Sequence, residues 1–412
     1  MPTEGAPVRH PACEPAEKPA AFPLAEPRRV IPFDYYPRTR IVFGPGKIDA
    51  LGELAGELGA RRALVVSDPG IVEAGHTEHG LAALRRAGIE AHVFDEVEEN
   101  PTTANVEGGV AAARRYDPEI LIGLGGGSSM DCAKGINFVY TNGGKVQDYW
   151  GVGKATKPML PMIAVPTTAG TGSESQSFAL ISDAATHVKM ACGDKKASFR
   201  VAVLDPLLTL TQPPRVTALT GIDAISHAVE SYVTKARNSA SAAFSREAWR
   251  LLSRNYHRVL EAPQDVDARS GMQLGACFAG LAIENSMLGA AHALANPLTA
   301  RYGIVHGEAI ALMLPHVIRF NGPQCRRWYH ELLELAPQTN GLPVIGEAPE
   351  KLAELVAAFA AHAGLPARLS ERGVEAATLG ELAAEAAKQW TGSFNPRPVD
   401  EASLRAIYEA AM

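Results

Sequence analysis

The chain has 412 residues, more than one ordinary core requires and about enough for two domains. Apolar residues make up 46% and charged residues 20%, which excludes overall disorder and allows a sizeable core. The net charge is −6, with acids and bases interspersed and no Lys/Arg run, so nucleic acid and anionic membrane surfaces are excluded as partners.

In chain order, residues 1–34 form a separate zone, with Pro recurring at Pro2, Pro7, Pro11, Pro15, Pro19, Pro23 and Pro27. Proline fixes φ and removes a donor, so the zone reads as a flexible extension, and without an apolar core it is not a secretory signal. Residues 35–212 alternate short β-rich runs with helical periods. The expected strands are Thr39–Phe43, Ala63–Ser67, Ala91–Phe94, Ile120–Leu124, Met162–Val165, Phe178–Ser182, His187–Ala191 and Val201–Leu204. The expected helices between them are Ile48–Leu58, His79–Ala87, Thr103–Arg115 and Ser129–Tyr140. Such alternation implies a parallel sheet covered by helices, because parallel strands need long crossovers. The pair around Asp183-Ala184-Ala185-Thr186 reads instead as an antiparallel hairpin.

Pro213-Pro214 marks a boundary, and residues 213–412 carry helical period throughout. The expected helices are Leu219–Val233, Ala240–Leu260, Ala268–Ala295, Glu308–Phe320, Pro349–Ala363 and Thr378–Ala387. The fold class is therefore an α/β nucleotide-binding domain followed by an all-helical domain, with the cleft between them as the default site. No apolar run reaches the length of about 18 residues that a membrane span needs. The five cysteines, Cys13, Cys132, Cys192, Cys277 and Cys325, are odd in number and never in C-x-x-C spacing. That pattern fits reduced thiols in a cytoplasmic protein.

Four motifs carry chemistry. In the first, the apolar run Ile120–Leu124 enters Gly125-Gly126-Gly127-Ser128-Ser129-Met130-Asp131. Glycines admit a ligand close to the backbone, and the helix that follows offers free N–H groups, which makes a phosphate site. The same residues would also make a tight turn with Ser128 and Asp131 as a capping box, and for Asp131 alone the cap is the preferred reading. The second is Asp68, just past an early strand. Its carboxylate can accept from both ribose hydroxyls and repel a 2′-phosphate, or it can cap the helix after Pro69. The third, Pro166-Thr167-Thr168-Ala169-Gly170-Thr171-Gly172, can wrap a nucleotide with hydroxyl and amide donors, or form a polar surface loop. The fourth places Asp223 and His227 one turn apart on a helix, with His292 and His306 on two further apolar helices. One carboxylate and three imidazoles can close around a divalent cation, although single histidines on apolar helices are commonly core residues.

Together these motifs resemble the iron-containing alcohol dehydrogenases, a metal-dependent family whose fold is shared with dehydroquinate synthase. The likeness runs from about Tyr35 to the end. It is carried by Asn100-Pro101-Thr102, the glycine turn through Lys134, the Pro166–Glu174 loop, Gly221–Glu230, His306-Gly307, Leu314-Pro315-His316-Val317 and Asn395-Pro396-Arg397-Pro398. The resemblance implies Asp223, His227, His292 and His306 as ligands of Fe²⁺, with Zn²⁺ chemically admissible. It implies NAD against Gly125, Gly126, Gly127, Ser128 and Asp131, with Thr167, Thr168 and Thr171 over it. Lys189 would lie near the ribose, Asn100 on the adenosine side, and Asp68 where NAD-preferring members carry an Asp. The implied reaction is reversible hydride transfer between a small alcohol and NAD, in a cytoplasmic homo-oligomer.

One departure bears on catalysis. Many members carry a second histidine one turn after the third ligand, where this chain has Asn296. An amide cannot act as a general base near neutral pH, so the proton leaves by another route or the substrate differs. Two rivals share the fold. A synthase-like lyase needs a basic pocket that the helical half does not provide, and a hydroxyacid reductase needs a cation, for which Arg301 is the nearest candidate.

Overall fold

A computed structural model describes residues 31–186, 188–337 and 347–412. The 1–34 extension therefore lies almost wholly outside the described residues, as does His187.

The strands in chain order are β1 (Arg40–Phe43), β2 (Arg62–Val66), β3 (Glu90–Phe94), β4 (Ile120–Gly125), β5 (Gly151–Val152), β6 (Met162–Pro166), β7 (Phe178–Ser182), β8 (Lys189–Gly193) and β9 (Val201–Leu204). A six-stranded sheet takes the order β1-β9-β6-β4-β2-β3, with every pairing parallel. The central strands β2, β4, β6 and β9 are apolar and buried on both faces, as a sheet covered on both sides requires. The helices of this half are α1 (Leu51–Glu57), α2 (Pro69–Glu73), α3 (His76–Arg86), α4 (Thr103–Tyr116) and α5 (Gly127–Asn142). From β2 the chain first crosses to β3 on one side and then to β4 on the other. The crevice at the C-terminal ends of β2 and β4 is thus a topological switch point, where open α/β sheets bind ligands.

A second sheet, β5-β8-β7, stands beside the first, with β7 and β8 antiparallel. This is the expected hairpin. The Asp183 carboxylate accepts from the amides of Ala185 and Thr186 and closes its turn. The two-residue β5 carries no periodic signal and was not expected.

The helical half consists of α6 (Pro214–Val233), α7 (Ser239–Glu261), α8 (Val266–Glu284), α9 (Ala290–Tyr302), α10 (His306–Leu335), α11 (Ala348–His362), α12 (Leu379–Ala386) and α13 (Glu401–Ala410). Its core includes Trp249, Tyr256, Phe359 and Tyr408, all 0% exposed. Pro214 is the first residue of α6, where its missing donor costs nothing. The single helix expected over Ala268–Ala295 is in fact two, α8 and α9, broken at residues 285–289. At the break, a Cβ on Gly289 would stand 2.9 Å from Glu230 Oε1 and 3.0 Å from Asn395 Oδ1. The break is imposed by groups distant in sequence.

Candidate metal centre and nucleotide turn

α6 brings Asp223 and His227 to one face, α9 supplies His292 from its first turn, and α10 opens on His306. Asp223 Oδ1 lies 3.4 Å from His227 Nε2, 3.6 Å from His292 Nε2 and 3.6 Å from His306 Nε2. The Nε2 atoms of His227 and His292 face each other at 3.1 Å. Asp223, His227 and His292 are buried, and His306 keeps 28% of its side chain open, so the cluster reaches solvent on that side.

Burial alone would raise the Asp223 carboxyl, but the imidazoles of His227, His306 and His292 hold it well below the usual carboxylate range. Burial pushes His227 and His306 down. It acts the same way on His292, yet the Glu230 and Asp223 carboxylates overcome it and push that imidazole up to about 9. Two carboxylates, Asp223 and Glu230, thus act on the three imidazoles.

The donor set fits a divalent cation. Asp223 Oδ1 is buried and accepts no hydrogen bond. Ligands about 2.1 Å from a tetrahedral cation stand about 3.4 Å apart, close to the separations among Asp223, His227 and His292, whereas His306 comes that near only to Asp223. His292 Nδ1 meets Glu230 Oε2 at 2.5 Å, and Glu230 Oε1 accepts from Ala291 N at 2.8 Å. Glu230 thus fixes the imidazole and holds the start of α9 at once, as carboxylates behind metal-binding histidines do. Asn395 completes that helix start by accepting from Ala290 N at 3.2 Å, and its amide is paired with Asn321. Glu230 and Asn395 lie in two of the motifs that carry the resemblance, but neither has a role in the sequence reading. The signal for Glu230 was its place three residues after His227, on the same helix face.

The nucleotide turn sits at the switch point. Gly125 has φ +151°, and a Cβ there would stand 2.3 Å from Ser129 Oγ and 3.1 Å from Asp68 Oδ2. A Cβ on Gly127 would stand 2.7 Å from Thr171 Cγ2, and one on Gly126 3.5 Å from Thr168 Cγ2. The glycines therefore let the threonine loop lie against the turn. Thr167 is buried; its N–H donates to Gly125 O, and its hydroxyl has no partner.

Of the two readings of Asp68, the cap is present: it accepts from Ile71 N at 3.1 Å, while its other oxygen accepts from Ser129 Oγ of the glycine turn at 3.0 Å. Asn100 holds a left-handed φ of 56°, and its N–H donates to Ser128 Oγ at 3.3 Å. The Ser128–Asp131 capping box does not form, since Gly126 is the α5 N-cap and no side chain caps it. Asp131 instead points inward, accepting from the Ser173 hydroxyl, Lys134 Nζ at 3.2 Å and Leu180 N at 3.1 Å. Lys134, fully buried, also donates to the carbonyls of Ser173 and Phe178, so α5, the threonine loop and β7 are tied into one unit. Lys189 opens β8 within electrostatic reach of Asp131, Asp223 and His306. Arg301 forms a solvent-exposed ion pair with Glu381.

Residues 37–206 match the family profile described as iron-containing alcohol dehydrogenase, and residues 217–412 match its C-terminal counterpart. The chain is 36% identical over 382 residues to the 1,3-propanediol dehydrogenase of Klebsiella pneumoniae, covering 92% of this chain and 98% of that one. It is 32% identical to the NAD-dependent methanol dehydrogenase of Bacillus methanolicus, covering 90% and 97%. Among solved structures, it superposes on an alcohol dehydrogenase from Oenococcus oeni with a TM-score of 0.88 at 30% identity, covering 92% and 100%.

Proposed function

Because the chain belongs to the iron-containing alcohol dehydrogenase family, we propose that Asp223, His227, His292 and His306 hold its one divalent cation and that the adjoining turn holds NAD. The protein is a metal-dependent alcohol dehydrogenase, an oxidoreductase acting on a small alcohol or its aldehyde. The observation that carries the ligand assignment is the convergence of three imidazole nitrogens on a buried Asp223 oxygen that has no hydrogen bond.

When bound, the cation supplies Lewis acidity to the alcohol oxygen and NAD supplies the ring that takes the hydride. The chain's own residues do the rest. Glu230 keeps a proton on His292 Nδ1, so that Nε2 offers its lone pair. Gly125, Gly126, Gly127 and Ser128 admit the pyrophosphate to the α5 N-terminus, and Thr167, Thr168 and Thr171 close over it. Asp68 and Asn100 take the adenosine side, where the Asp68 charge disfavours a 2′-phosphate, and Lys189 takes the ribose. Asp131 acts through Ser173 and Leu180 as a positioning residue. Asn296 lacks a basic lone pair and takes no proton.

We further propose a cytoplasmic homo-oligomer, divided at Pro213 into a nucleotide domain over 35–212 and a cation-bearing domain over 213–412. The buried, unpaired state of Cys132, Cys192, Cys277 and Cys325 supports a reducing compartment. No helix of the described residues is long and apolar enough to cross a membrane.

The test is metal analysis of the purified protein together with NADH formation on a panel of small alcohols, before and after chelation. Asp223→Asn is expected to lose both metal and turnover. Full activity in metal-free protein overturns the assignment.

A further inference from the structure

The four side chains of the cation cluster are not held alike. Asp223 and His227 ride on the buried interior of α6, and Glu230 fixes the ring of His292. His306 has no such carboxylate behind it among the described residues; its carboxylate contact is Asp223, in front of it at 3.6 Å. It also stands outside the close trio of Asp223, His227 and His292, on the side open to solvent. Its place therefore depends on where the first turn of α10 lies, and no side chain caps that turn.

Three matched contacts set that turn against α6. Arg215, Leu219 and Asp223 stand at four-residue steps, so they share one face of α6 at intervals of about 6 Å. They meet Glu308, Gly307 and His306 in turn. Arg215 Nη2 donates to Glu308 Oε2 at 3.1 Å. A Cβ on Gly307 would stand 2.3 Å from Leu219 O, so the two backbones touch there. Asp223 faces His306 at the inner end. The Glu308 carboxylate is buried and takes a second cation, Arg372 of the short turn Leu369–Arg372. Arg372 Nη2 donates to Oε2 at 3.1 Å, and its Nε pairs with Oε1. A Glu at the third position of a helix commonly reaches back to the N-cap amide. Here the N-cap is Val305, and both Glu308 oxygens go to arginine instead.

We infer that Glu308 is a positioning residue for His306. The arginine clamp and the imidazole lie on opposite sides of the Gly307 contact, so the first turn of α10 works as a short lever. With both arginines on Glu308, the His306 end is held toward Asp223. A carboxylate taken out of water needs well-placed partners, and a guanidinium fixes its direction as well as its charge. Freed of that pairing, the turn can rock about Gly307 and carry His306 out toward solvent. The inference rests on the reading of the cluster as a cation site with His306 as its fourth ligand.

The experiment strips the metal from the full chain and titrates Zn²⁺ against a competing chromophoric chelator. The variants are Glu308→Gln and Arg372→Met, each alone and combined with His306→Ala. Loss of an orienting group behind a ligand predicts a fall in Zn²⁺ affinity of about ten-fold for each single variant. In the His306→Ala background neither variant is expected to change the affinity further, because the ligand it acts through is gone. Absorption of the Co²⁺-loaded Glu308→Gln protein should move toward that of Co²⁺-loaded His306→Ala. A role confined to stability moves the unfolding temperature of the metal-free protein and neither of these readouts. Should Glu308→Gln fail to fold, Arg372→Met, at the partly exposed end of the clamp, decides alone. Single variants within about two-fold of wild type overturn the inference and leave the cation reading intact, as does a loss that persists in full without His306. If His306→Ala itself keeps wild-type affinity, the fourth-ligand reading falls and takes the inference with it.

Discussion

Replacing Glu230 by Gln sets two demands against each other at one side chain. The carboxylate now accepts from Ala291 N through Oε1 and meets His292 Nδ1 through Oε2 at 2.5 Å. If Gln keeps its carbonyl oxygen on Ala291 N, its NH₂ faces His292 Nδ1, and the imidazole proton must move to Nε2. That removes the lone pair aimed at Asp223 Oδ1 and His227. If the amide turns the other way, Ala291 N loses its acceptor in a buried place. Either outcome weakens cation binding without removing a ligand. Loss of such an orienting carboxylate costs about 10- to 100-fold in metal affinity, or about 1.4–2.7 kcal/mol. The assay strips the metal and titrates Zn²⁺ or anaerobic Fe²⁺ against a competing chromophoric chelator, with the unfolding temperature of the metal-free protein as control. An affinity within about two-fold of wild type would refute the reasoning, because Glu230 would then be only a helix cap.

Two further substitutions test other parts of the structure. Gly127→Ala puts a Cβ 2.7 Å from Thr171 Cγ2, so the threonine loop must lift from the turn; the KM for NAD should rise about ten-fold with metal content unchanged, and an unaltered KM would remove Gly127 from the cofactor site. Glu174 is fully enclosed, and burial pushes its carboxyl from the ordinary 4.5 up to about 7. A folded-state value above the unfolded one favours the neutral form in the fold, so this contribution to stability is complete below about pH 4.5 and is lost as pH rises through 7. Glu174→Gln should therefore gain roughly 2.5 kcal/mol relative to wild type between pH 5 and pH 8, read from denaturant midpoints at the two values. Equal shifts at both pH values would exclude a raised carboxyl.

Much of the fold is legible in the sequence because its local signals agree with its tertiary ones. Ile120–Leu124 is an apolar run entered from Asp117-Pro118-Glu119 and left through Gly125-Gly126-Gly127, too short for a helix between such signals. Residues 268–295 show the opposite case. Their Ala, Gly and Leu content is continuously compatible with helix, so the break at 285–289 has only a weak local signal. It is written in Glu230 and Asn395, which lie far away in sequence. Asp131 fails as a cap for a related reason: the S-x-x-D pattern is local, but the buried Lys134 and the Ser173 hydroxyl compete for the carboxylate and prevail. For the cluster itself, the Asp223–His227 spacing could be read from helical periodicity. That His292 and His306 meet them depends on how three helices pack, which periodicity does not encode.

The bond from Asn395 to the first turn of α9 also sets an order of events during synthesis. Residues 31–206 contain every strand of the parallel sheet and can close on themselves while the ribosome is still adding the helical half. His292 cannot be seated in the same way. Its helix start waits for an amide made more than a hundred residues later, near the end of the chain. A nascent chain thus presents a finished nucleotide turn beside an unfinished set of imidazoles. The imidazole set is therefore completed only when the segment around Asn395 docks on α9, a step separate from closure of the nucleotide turn.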